Sequence, residues 1–429
     1  MHIFAALERR EREGRSVRVA IVGTGFMGQG LLRQIRLIHG MAVVCVANRT
    51  LEKAVDALRG TGLEPGAIAI CDDPVGAQQA IARGQTVVTR DLLLAAAIPD
   101  VDVIMEATGN VGVGASVAIA AIAHGKHIVA ANPECQATVG ALIERRAEEA
   151  CVVYSDIDGD QPGLLMNLYA YCTGLGLEAV VAGNCKGVLK RYATPATQVR
   201  FATENGISPW IATAAADGTK LNLEMAIVSN ATGMLPARRG MTGFTTSVQT
   251  LIEDFGKAGL LSRGPIVEYT FGIDSGVFIV ARSDDDALQR EWRYLKMGNG
   301  PHYLFYEPRV LCHFDAPLSA AQAALYGTPT IAPKGAPLTE VVACAKTGLE
   351  AGTRLDGIGG FNCYGEILCV RDAEGLLPVG LAEGAVLTRD VAIDQPIELD
   401  AVEFVDDTLP LRLRREQDAL FAPKAVVPA

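Results

Sequence analysis

Two lysines in the middle of the chain have neighbours suited to acid–base chemistry. Lys186 lies in the segment Gly183–Gly187, directly after an apolar run, and Lys220 lies four residues before Glu224. A lysine ammonium can polarise a carbonyl oxygen and donate a proton to it as negative charge develops there, and a nearby carboxylate sets the pKa of that ammonium. We therefore predict four catalytic residues: Lys186, Lys220, Asp160 and Glu224. The alternative for each lysine is an ordinary solvated position.

An acidic loop precedes these lysines. The segment 156–163 holds three aspartates, two glycines and a proline. Such a composition is typical of a turn. Its carboxylates are also suited to binding substrate hydroxyls or a divalent metal. We predict Asp158 to contact substrate, and Asp158, Asp160 and Glu224 are the residues that would hold a metal if one is required.

The segment 217–224 permits two local structures. Asp217-Gly218 is a hairpin signal, and a strand would place Lys220, Asn222 and Glu224 on one face. A helix that begins after Asp217 would instead make Lys220 and Glu224 an i,i+4 ion pair. Periodicity leaves both alternatives open.

Five further polar residues are candidates for substrate binding. Asn184 and Asn230 offer amide groups near the lysine segments. Arg191, Arg238 and Arg239 would bind a phosphate if the substrate has one, because guanidinium groups pair well with phosphate oxygens. The alternative for the adjacent arginines is an exposed loop.

The element that would organise this chemistry lies near the N-terminus. A buried strand, Val17–Val22, leads into Gly23-Thr24-Gly25-Phe26-Met27-Gly28, which fits the G-x-G-x-x-G spacing. In such a turn the first glycine permits the tight bend, the second lets the backbone approach a pyrophosphate, and the third lets the helix pack on the strand. We predict that a dinucleotide binds at Gly23, Gly25, Phe26, Met27 and Gly28.

The end of the next strand favours NADP over NAD. An NAD site usually has Asp or Glu about 20 residues after the glycines, where it binds the ribose 2′-hydroxyl. Here Asn48 and Arg49 stand at that place. Without a carboxylate to repel a 2′-phosphate, and with an arginine to pair with it, NADP(H) is the expected cofactor. The alternative is that Asn48 and Arg49 only begin a turn.

Two later strands end in small and polar residues. Val101–Ala107 is followed by Thr108 and Gly109, and His127–Ala131 is followed by Asn132. Ligands of open parallel sheets bind at the carboxyl ends of the strands. We therefore predict that Thr108, Gly109 and Asn132 line the nicotinamide side of the site. Farther along, Ile266–Phe271 and Val277–Ala281 flank Gly272–Gly276 and predict a hairpin.

Composition restricts the class of protein. The chain has 429 residues, of which 49% are hydrophobic and 20% charged, with a formal net charge of −11. This charge disfavours nucleic acid and anionic membranes as partners, and a small-molecule substrate is expected. The ten cysteines form no C-x-x-C pair, the start of the chain carries acidic residues, and no uncharged apolar run reaches membrane-helix length. We expect a cytoplasmic protein.

Several segments together resemble a known group. Gly23–Gly28, Glu106–Gly109 and Gly125–Asn132 resemble the nucleotide-binding domain of homoserine dehydrogenases, although Pro133-Glu134 replaces the usual lysine and the homoserine-binding segment D-L-x-G-x-D-x-x-R-K is not evident. The region 350–390 is similar to a SAF domain, a small β-clip. The combination resembles the homoserine-dehydrogenase-like SAF oxidoreductases over nearly the whole chain.

The resemblance and the pattern together give the expected architecture. We expect a Rossmann-type α/β domain with a doubly wound parallel sheet (1–156), an α+β catalytic and dimerisation domain (157–335), and a small β-rich, SAF-like domain with a C-terminal tail (336–429). A homodimer or homotetramer is expected.

The resemblance also implies activities. One branch of the group is similar to 1-deoxyxylulose-5-phosphate reductoisomerase of isoprenoid precursor synthesis, which implies NADPH-dependent reduction of a small polyhydroxylated substrate, phosphorylated or not. The alternatives are a homoserine-type, semialdehyde or hydroxy-acid dehydrogenase, and a non-catalytic NADP-binding module whose SAF domain binds a sugar acid.

Overall fold

The computed structural model describes residues 2–422, and its first layer is a seven-stranded parallel sheet. The strands lie in the order β3-β4-β2-β1-β5-β6-β7. Their bounds are β1 Val17–Val22, β2 Met41–Ala47, β3 Ile68–Ile70, β4 Thr86–Thr89, β5 Val103–Glu106, β6 His127–Ala130 and β7 Tyr154–Asp156. The direction of winding reverses between β1 and β5, so ligands are expected at the carboxyl ends of these two strands. The predicted Rossmann-type α/β fold is confirmed.

Helices cover both faces of this sheet, and the strands are apolar because both faces are buried. The helices are α1 His2–Arg12, α2 Phe26–Ile35, α3 Leu51–Arg59, α4 Pro74–Ala82, α5 Leu94–Ala97, α6 Val111–Ala123 and α7 Pro133–Glu149. A short 3-10 helix, Pro65–Ala67, precedes β3.

The glycine turn between β1 and α2 has the geometry that its spacing predicts. Gly23 has φ +96°, a conformation that side chains rarely adopt. A Cβ on Gly28 would lie 1.9 Å from the carbonyl oxygen of Gly23, so only glycine lets α2 pack this close to β1. A Cβ on Gly25 would meet nothing within 4 Å, which leaves space beside the turn.

The second sheet has six strands and is mixed. Its order is β10-β11-β8-β12-β13, with β9 beside β11. The strands are β8 Glu178–Cys185, β9 Leu235–Pro236, β10 Phe244–Thr245, β11 Ile266–Phe271, β12 Val277–Arg282 and β13 His302–Glu307. The predicted hairpin at 266–281 is wrong. Both strands exist, but β8 lies between them, parallel to β11 and antiparallel to β12.

Six helices accompany this second sheet in the chain. They are α8 Gln161–Gly174, α9 Pro195–Asn205, α10 Pro209–Asp217, α11 Thr219–Thr232, α12 Leu251–Lys257 and α13 Asp286–Tyr294. Helix α11 is almost completely buried. It contacts α7, which packs on the first sheet, and α8, which packs on the second sheet. It therefore places the segment 219–232 where the first and second layers meet.

The C-terminal part is rich in short strands. An antiparallel pair is formed by β14 Thr339–Ala345 and β15 Cys363–Cys369, and a second by β16 Val386–Leu387 and β17 Val402–Glu403. Three 3-10 helices complete it: Val370–Asp372, Val379–Leu381 and Leu399–Ala401. Strands β14 and β15 share one hydrophobic core with α11. This region is thus packed onto the middle of the chain.

Two late helices return to the first sheet. Helix α14, Cys312–Tyr326, packs against α2 and β6, where Ala316 and Ala320 join the core of that layer. Helix α15, Leu409–Phe421, packs against α6 and α7. The domain boundaries predicted at residues 156 and 335 therefore divide the sequence, but the segments are not separate in space. Helices α14 and α15 both follow residue 156 and share hydrophobic cores with the first sheet. Among residues 2–422, no helix is both long and apolar enough to span a membrane.

Candidate active site

Three of the four predicted catalytic residues meet at Lys220. The segment 217–224 is helical, because Gly218 (φ +94°) ends α10 and begins α11, so Lys220 and Glu224 form the i,i+4 pair. Lys220 Nζ lies 3.9 Å from Glu224 Oε1 and 3.9 Å from Asp160 Oδ2. Asp160 is held in place as the N-cap of α8, where it accepts from the amide of Gln161. We call Lys220, Asp160 and Glu224 the Lys220 cluster.

Burial and charge act in opposite directions on this cluster. The charge of Asp160 raises the pKa of Lys220 and outweighs the effect of burial. Burial raises the pKa of Glu224 to about 8, and the charge of Asp160 adds to this shift. At neutral pH Lys220 is therefore a charged ammonium beside a carboxyl group that retains its proton. This pair can donate a proton and accept its replacement locally.

The end of β8 brings Lys186 and Asn184 to the same carboxyl group. Asn184 donates from Nδ2 to Glu224 Oε2 at 3.2 Å. Burial lowers the pKa of Lys186, and the charge of Glu224 opposes that effect. Lys186 Nζ itself donates to the carbonyl of Ala215 at 2.7 Å. The fourth predicted catalytic residue thus lies beside the cluster and acts on it through Glu224.

Two polar atoms beside the cluster are buried without a hydrogen-bond partner in the described residues: Asn184 Oδ1 and Asp156 Oδ2. Burial, together with the charge of Asp160, raises the pKa of Asp156 well above its usual range. Buried polar atoms without a hydrogen-bond partner are rare in folded proteins. Carboxyl groups with strongly shifted pKa values concentrate at functional sites. Asp156 was not among our predicted site residues, although it belongs to the same acidic loop as Asp160.

Glu134 is a second carboxylate that the sequence did not reveal as part of the site. It lies in the first turn of α7, which packs against α11. Burial raises the pKa of Glu134, whereas the nearby ammonium of Lys220 lowers it. No spacing rule connects positions 134 and 220, since only the packing of two distant helices brings them together.

A metal centre does not fit the acidic loop. Asp158 Oδ1 is occupied, since it accepts from Gly159 N at 2.8 Å and from Asn167 Nδ2 at 2.9 Å. Across residues 2–422, no three His, Cys, Asp or Glu side chains are grouped to hold a metal ion. The described residues therefore do not support a metal held jointly by Asp158, Asp160 and Glu224, and no step is assigned to one.

The residues predicted to bind the adenosine half of a dinucleotide divide into two roles. Asn48 Oδ1 accepts from the amide of Thr24 at 3.2 Å, so Asn48 braces the glycine turn. Arg49 is exposed and makes no hydrogen bond or ion pair within residues 2–422, which leaves its guanidinium available for a phosphate. Arg90, at the end of the adjacent strand β4, lies 3.6 Å from Glu52 and is a second cation at this edge.

On the nicotinamide side, Thr108 and Gly109 fit the prediction better than Asn132. Gly109 is exposed beyond β5, and Thr108 is tied to the buried Glu106 by its amide at 2.7 Å and by its hydroxyl. Asn132 is fully buried. It donates to Glu106 Oε2 at 2.7 Å and caps α7 by accepting from Cys135 N at 3.0 Å. Its side chain therefore supports the Thr108 loop and the start of α7, and its contact with the nicotinamide stays a prediction.

Asn230 is also committed to the fold. Its Oδ1 accepts from the amides of Leu338 at 2.8 Å and Thr339 at 3.0 Å. Asn230 therefore fixes the start of β14 on α11, and its predicted role in substrate binding stays a prediction.

The three arginines predicted to bind phosphate have protein partners. Arg191 and Arg239 hold the two carboxylate oxygens of Glu366 on β15, at 3.0 Å and 2.9 Å. Arg238 donates to the carbonyls of Met241 at 3.0 Å and Thr242 at 3.2 Å. Arg191 and Arg239 thus lie at the interface with the C-terminal region, Arg238 binds its own loop, and none of the three is left as a free phosphate clamp.

A comparison with known protein families matches the middle of the chain. Residues 159–316 match the family model described as "Oxidoreductase DRL, catalytic domain". The match begins beside Asp160 and contains Lys186, Lys220 and Glu224. Together with the dinucleotide-binding sheet it identifies the activity class. The chain is an NAD(P)-dependent oxidoreductase.

Solved structures with related folds have low sequence identity. A homoserine dehydrogenase from Thiobacillus denitrificans is 14% identical, covering 89% of this chain and 98% of that one, with a TM-score of 0.44. The 1-deoxy-D-xylulose 5-phosphate reductoisomerase from Zymomonas mobilis, solved with NADPH, is 18% identical over 72% of this chain and 80% of that one, with a TM-score of 0.38. A probable dehydrogenase from Thermotoga maritima is 11% identical over 68% and 69%, with a TM-score of 0.35.

No curated protein sequence matches the chain significantly. All three TM-scores lie below 0.5, so these structures carry no argument about the substrate. We infer the substrate class from the residues of this chain alone.

Proposed function

We propose that the protein catalyses NADPH-dependent reduction of the carbonyl group of a small polyhydroxylated compound. One observation carries this proposal: Lys220 is held as a charged ammonium between Asp160 and Glu224, inside the region that matches the oxidoreductase catalytic domain. A cation in that position stabilises the negative charge that develops on a carbonyl oxygen during reduction.

NADPH fits the carboxyl edge of the first sheet. The open space at Gly25 allows a pyrophosphate to approach the start of α2, where the first helical amides have no intrahelical acceptors. Arg49 would pair with the 2′-phosphate, and Gly109 would lie on the nicotinamide side. When bound, NADPH supplies the hydride.

The chain's own residues would manage the proton. Lys220 donates a proton from Nζ to the substrate oxygen as the carbonyl carbon is reduced, and the amine that results is neutral. Glu224 retains a proton at neutral pH and lies 3.9 Å from Nζ, so it is placed to restore the ammonium. Lys186 and Asn184 position Glu224 and stabilise the carboxylate that it then becomes.

The most specific form of this proposal is a reaction like that of 1-deoxyxylulose-5-phosphate reductoisomerase, which the sequence resemblance implies. Isomerisation rearranges a C–C bond and needs a divalent metal or an equivalent cation at neighbouring oxygens. Lys220 and Lys186 are the cations available for that purpose. The phosphate of such a substrate has less support, since Arg191 and Arg239 are engaged by Glu366.

The test is NADPH oxidation, followed by the loss of reduced-nicotinamide absorbance, against 1-deoxy-D-xylulose 5-phosphate, unphosphorylated ketoses and semialdehydes. We expect turnover with at least one polyhydroxylated carbonyl compound, and turnover that persists in a metal chelator. Tight NADPH binding without oxidation of any substrate would contradict the proposal and favour a non-catalytic NADP-binding module. Turnover of aspartate semialdehyde alone would instead favour a homoserine-type dehydrogenase.

A further inference from the structure

A cavity of about 260 Å³ connects the nicotinamide edge of the first sheet to the C-terminal region. On one side it is lined by Gly109, which follows β5, and by Glu134 in the first turn of α7. On the other side it is lined by Trp210 of α10 and by Asp356 and Glu383 of the C-terminal region. The cavity therefore begins where the nicotinamide is expected and ends on a region outside the matched catalytic segment.

The cavity is connected to the Lys220 cluster through helix packing. Glu134 lines the cavity from the first turn of α7, and α7 packs against α11, the helix that carries Lys220 and Glu224. A compound in the cavity would therefore lie beside the cofactor edge and against a helix that contacts α11. On this placement the cavity is suited to hold the substrate.

The far wall is firmly built. The carbonyl oxygen of Trp210 would lie 2.2 Å from a Cβ on Gly359, so only glycine permits this approach of α10 to the C-terminal region. The Trp210 ring packs edge-on against Phe361, with ring centroids 6.3 Å apart. Trp210 still keeps 41% of its surface exposed, which offers a flat apolar face to a ligand.

The ionisable side chains of the cavity lining are all acidic. Its lining contains three carboxylates, Glu134, Asp356 and Glu383, and neither lysine nor arginine among the described residues. Asp356 accepts from the amides of Phe361 at 2.6 Å and Asn362 at 3.1 Å, and an ionised carboxylate has further lone pairs for ligand hydroxyls. Glu383 is exposed and makes no hydrogen bond or ion pair within residues 2–422. Such a lining repels anions and accepts hydroxyl protons.

We propose that this cavity is the substrate pocket, and that it selects an uncharged, hydroxyl-rich carbonyl compound over its phosphate ester. Trp210 supplies an apolar face for the carbon skeleton, and the carboxylates accept hydrogen bonds from the hydroxyls. The C-terminal region thereby determines specificity. This inference rests on the proposed reductase function, whose substrate class it narrows.

Fluorescence of Trp210 provides a binding test that does not depend on turnover. The chain has two tryptophans, and Trp292→Phe leaves Trp210 as the only one. We expect 1-deoxy-D-xylulose to change the Trp210 emission and to bind at least tenfold more tightly than its 5-phosphate. No response to the unphosphorylated sugar, or tighter binding of the phosphate, would overturn the proposal. D-glucosamine binding tenfold more tightly than D-glucose would also overturn it, because it would show a pocket for amines.

The charge of the lining is tested by Glu383→Lys, with Glu374→Lys as the matched control. Both glutamates are exposed in the C-terminal region, but Glu374 does not line the cavity. Glu383→Lys should improve binding of the phosphate ester relative to the free sugar about tenfold, since it replaces a nearby negative charge with a positive one. Glu374→Lys should leave the ratio unchanged. Equal ratios in the two variants would contradict the assignment.

NADPH oxidation measured in parallel separates this inference from the proposed function. If NADPH is oxidised while Trp210 emission and the Glu383→Lys ratio do not change, the pocket assignment fails and the reductase stands. If Trp210 responds but NADPH is not oxidised, the proposed function fails and the pocket stands.

Discussion

Replacing Glu224 with glutamine should remove a pH-dependent loss of stability. Glutamine keeps the size of the side chain and an acceptor for Asn184 but cannot ionise. In the wild type, burial and the charge of Asp160 raise the pKa of Glu224 from its ordinary value of 4.5 to about 8. The folded state thus holds a proton that the unfolded state has lost, and the wild type becomes less stable as pH rises from 4.5 through 8.

The size of this effect follows from the shift. Each pH unit between the two pKa values is worth about 1.4 kcal/mol, so from pH 6 to pH 8 the wild type should lose about 2–3 kcal/mol relative to the variant. The three segments of the chain share hydrophobic cores, and we expect them to unfold together. For 429 residues the unfolding entropy is about 0.9 kcal/mol/K, so the difference in Tm between variant and wild type should grow by about 2–3 °C.

Thermal unfolding of both proteins at pH 6, 7 and 8 measures this difference. The Tm of the Glu224→Gln variant minus that of the wild type should increase steadily with pH. Parallel Tm curves would refute the conclusion that Glu224 is buried beside Asp160 and protonated near neutral pH. The pH dependence of kcat/KM gives a second readout, since a limb near pH 8 in the wild type should be absent from the variant.

Three further substitutions test the cofactor site and the fold. Arg49→Ala should weaken NADPH binding by about 10- to 100-fold and leave NADH binding unchanged, because it removes a charge-assisted contact to the 2′-phosphate. The control Arg59→Ala, at the exposed C-terminal end of α3, should change neither affinity, as measured by nucleotide fluorescence. Lys346→Met should lower the free energy of unfolding by about 3–5 kcal/mol in urea denaturation. The reason is that Asp217, whose carboxylate lies 2.8 Å from Lys346 Nζ, would stay buried without its partner. Gly28→Ala should abolish NADPH binding and lower Tm, because its Cβ would lie 1.9 Å from the carbonyl oxygen of Gly23. Gly25→Ala should weaken NADPH binding with little change in Tm, because its Cβ would meet nothing within 4 Å.

For each of these three substitutions, one outcome would contradict the structural reasoning. Equal losses of NADPH and NADH affinity in Arg49→Ala would place that arginine away from the 2′-phosphate. A neutral Lys346→Met would show that the buried ion pair with Asp217 contributes no net stability. Retained binding and stability in Gly28→Ala would contradict the close packing of α2 on β1.

Much of the first sheet could be predicted because its signals are local. The apolar strand Val17–Val22 has the predicted bounds, and β6 begins at His127 as predicted. The hairpin at 266–281 failed for the opposite reason. Adjacent strands in sequence predict pairing, but the strand that separates them, β8, comes from about 90 residues earlier, and no local pattern records that insertion.

The candidate site shows the same division. Lys220, Asp160 and Glu224 were recognisable from residue type and position, whereas Glu134 joined them through helix packing alone. The capping role of Asn132 could also have been predicted, since an asparagine before a proline is the signal for an N-cap followed by the first helical residue. Asn230, Arg191 and Arg239 hold the C-terminal region in place, and their partners lie more than 100 residues away in the sequence.

The most direct test of the proposed chemistry is a single-turnover measurement of NADPH oxidation in Lys220→Met, using the best substrate from the panel. We expect the hydride-transfer rate to fall by about 10²- to 10⁴-fold, the usual contribution of a positioned acid, while the Kd for NADPH changes less than about twofold. Lys190→Met, at an exposed lysine, should retain the wild-type rate. A wild-type rate in Lys220→Met would contradict the assignment of Lys220 as the proton donor, and with it the central claim about this site.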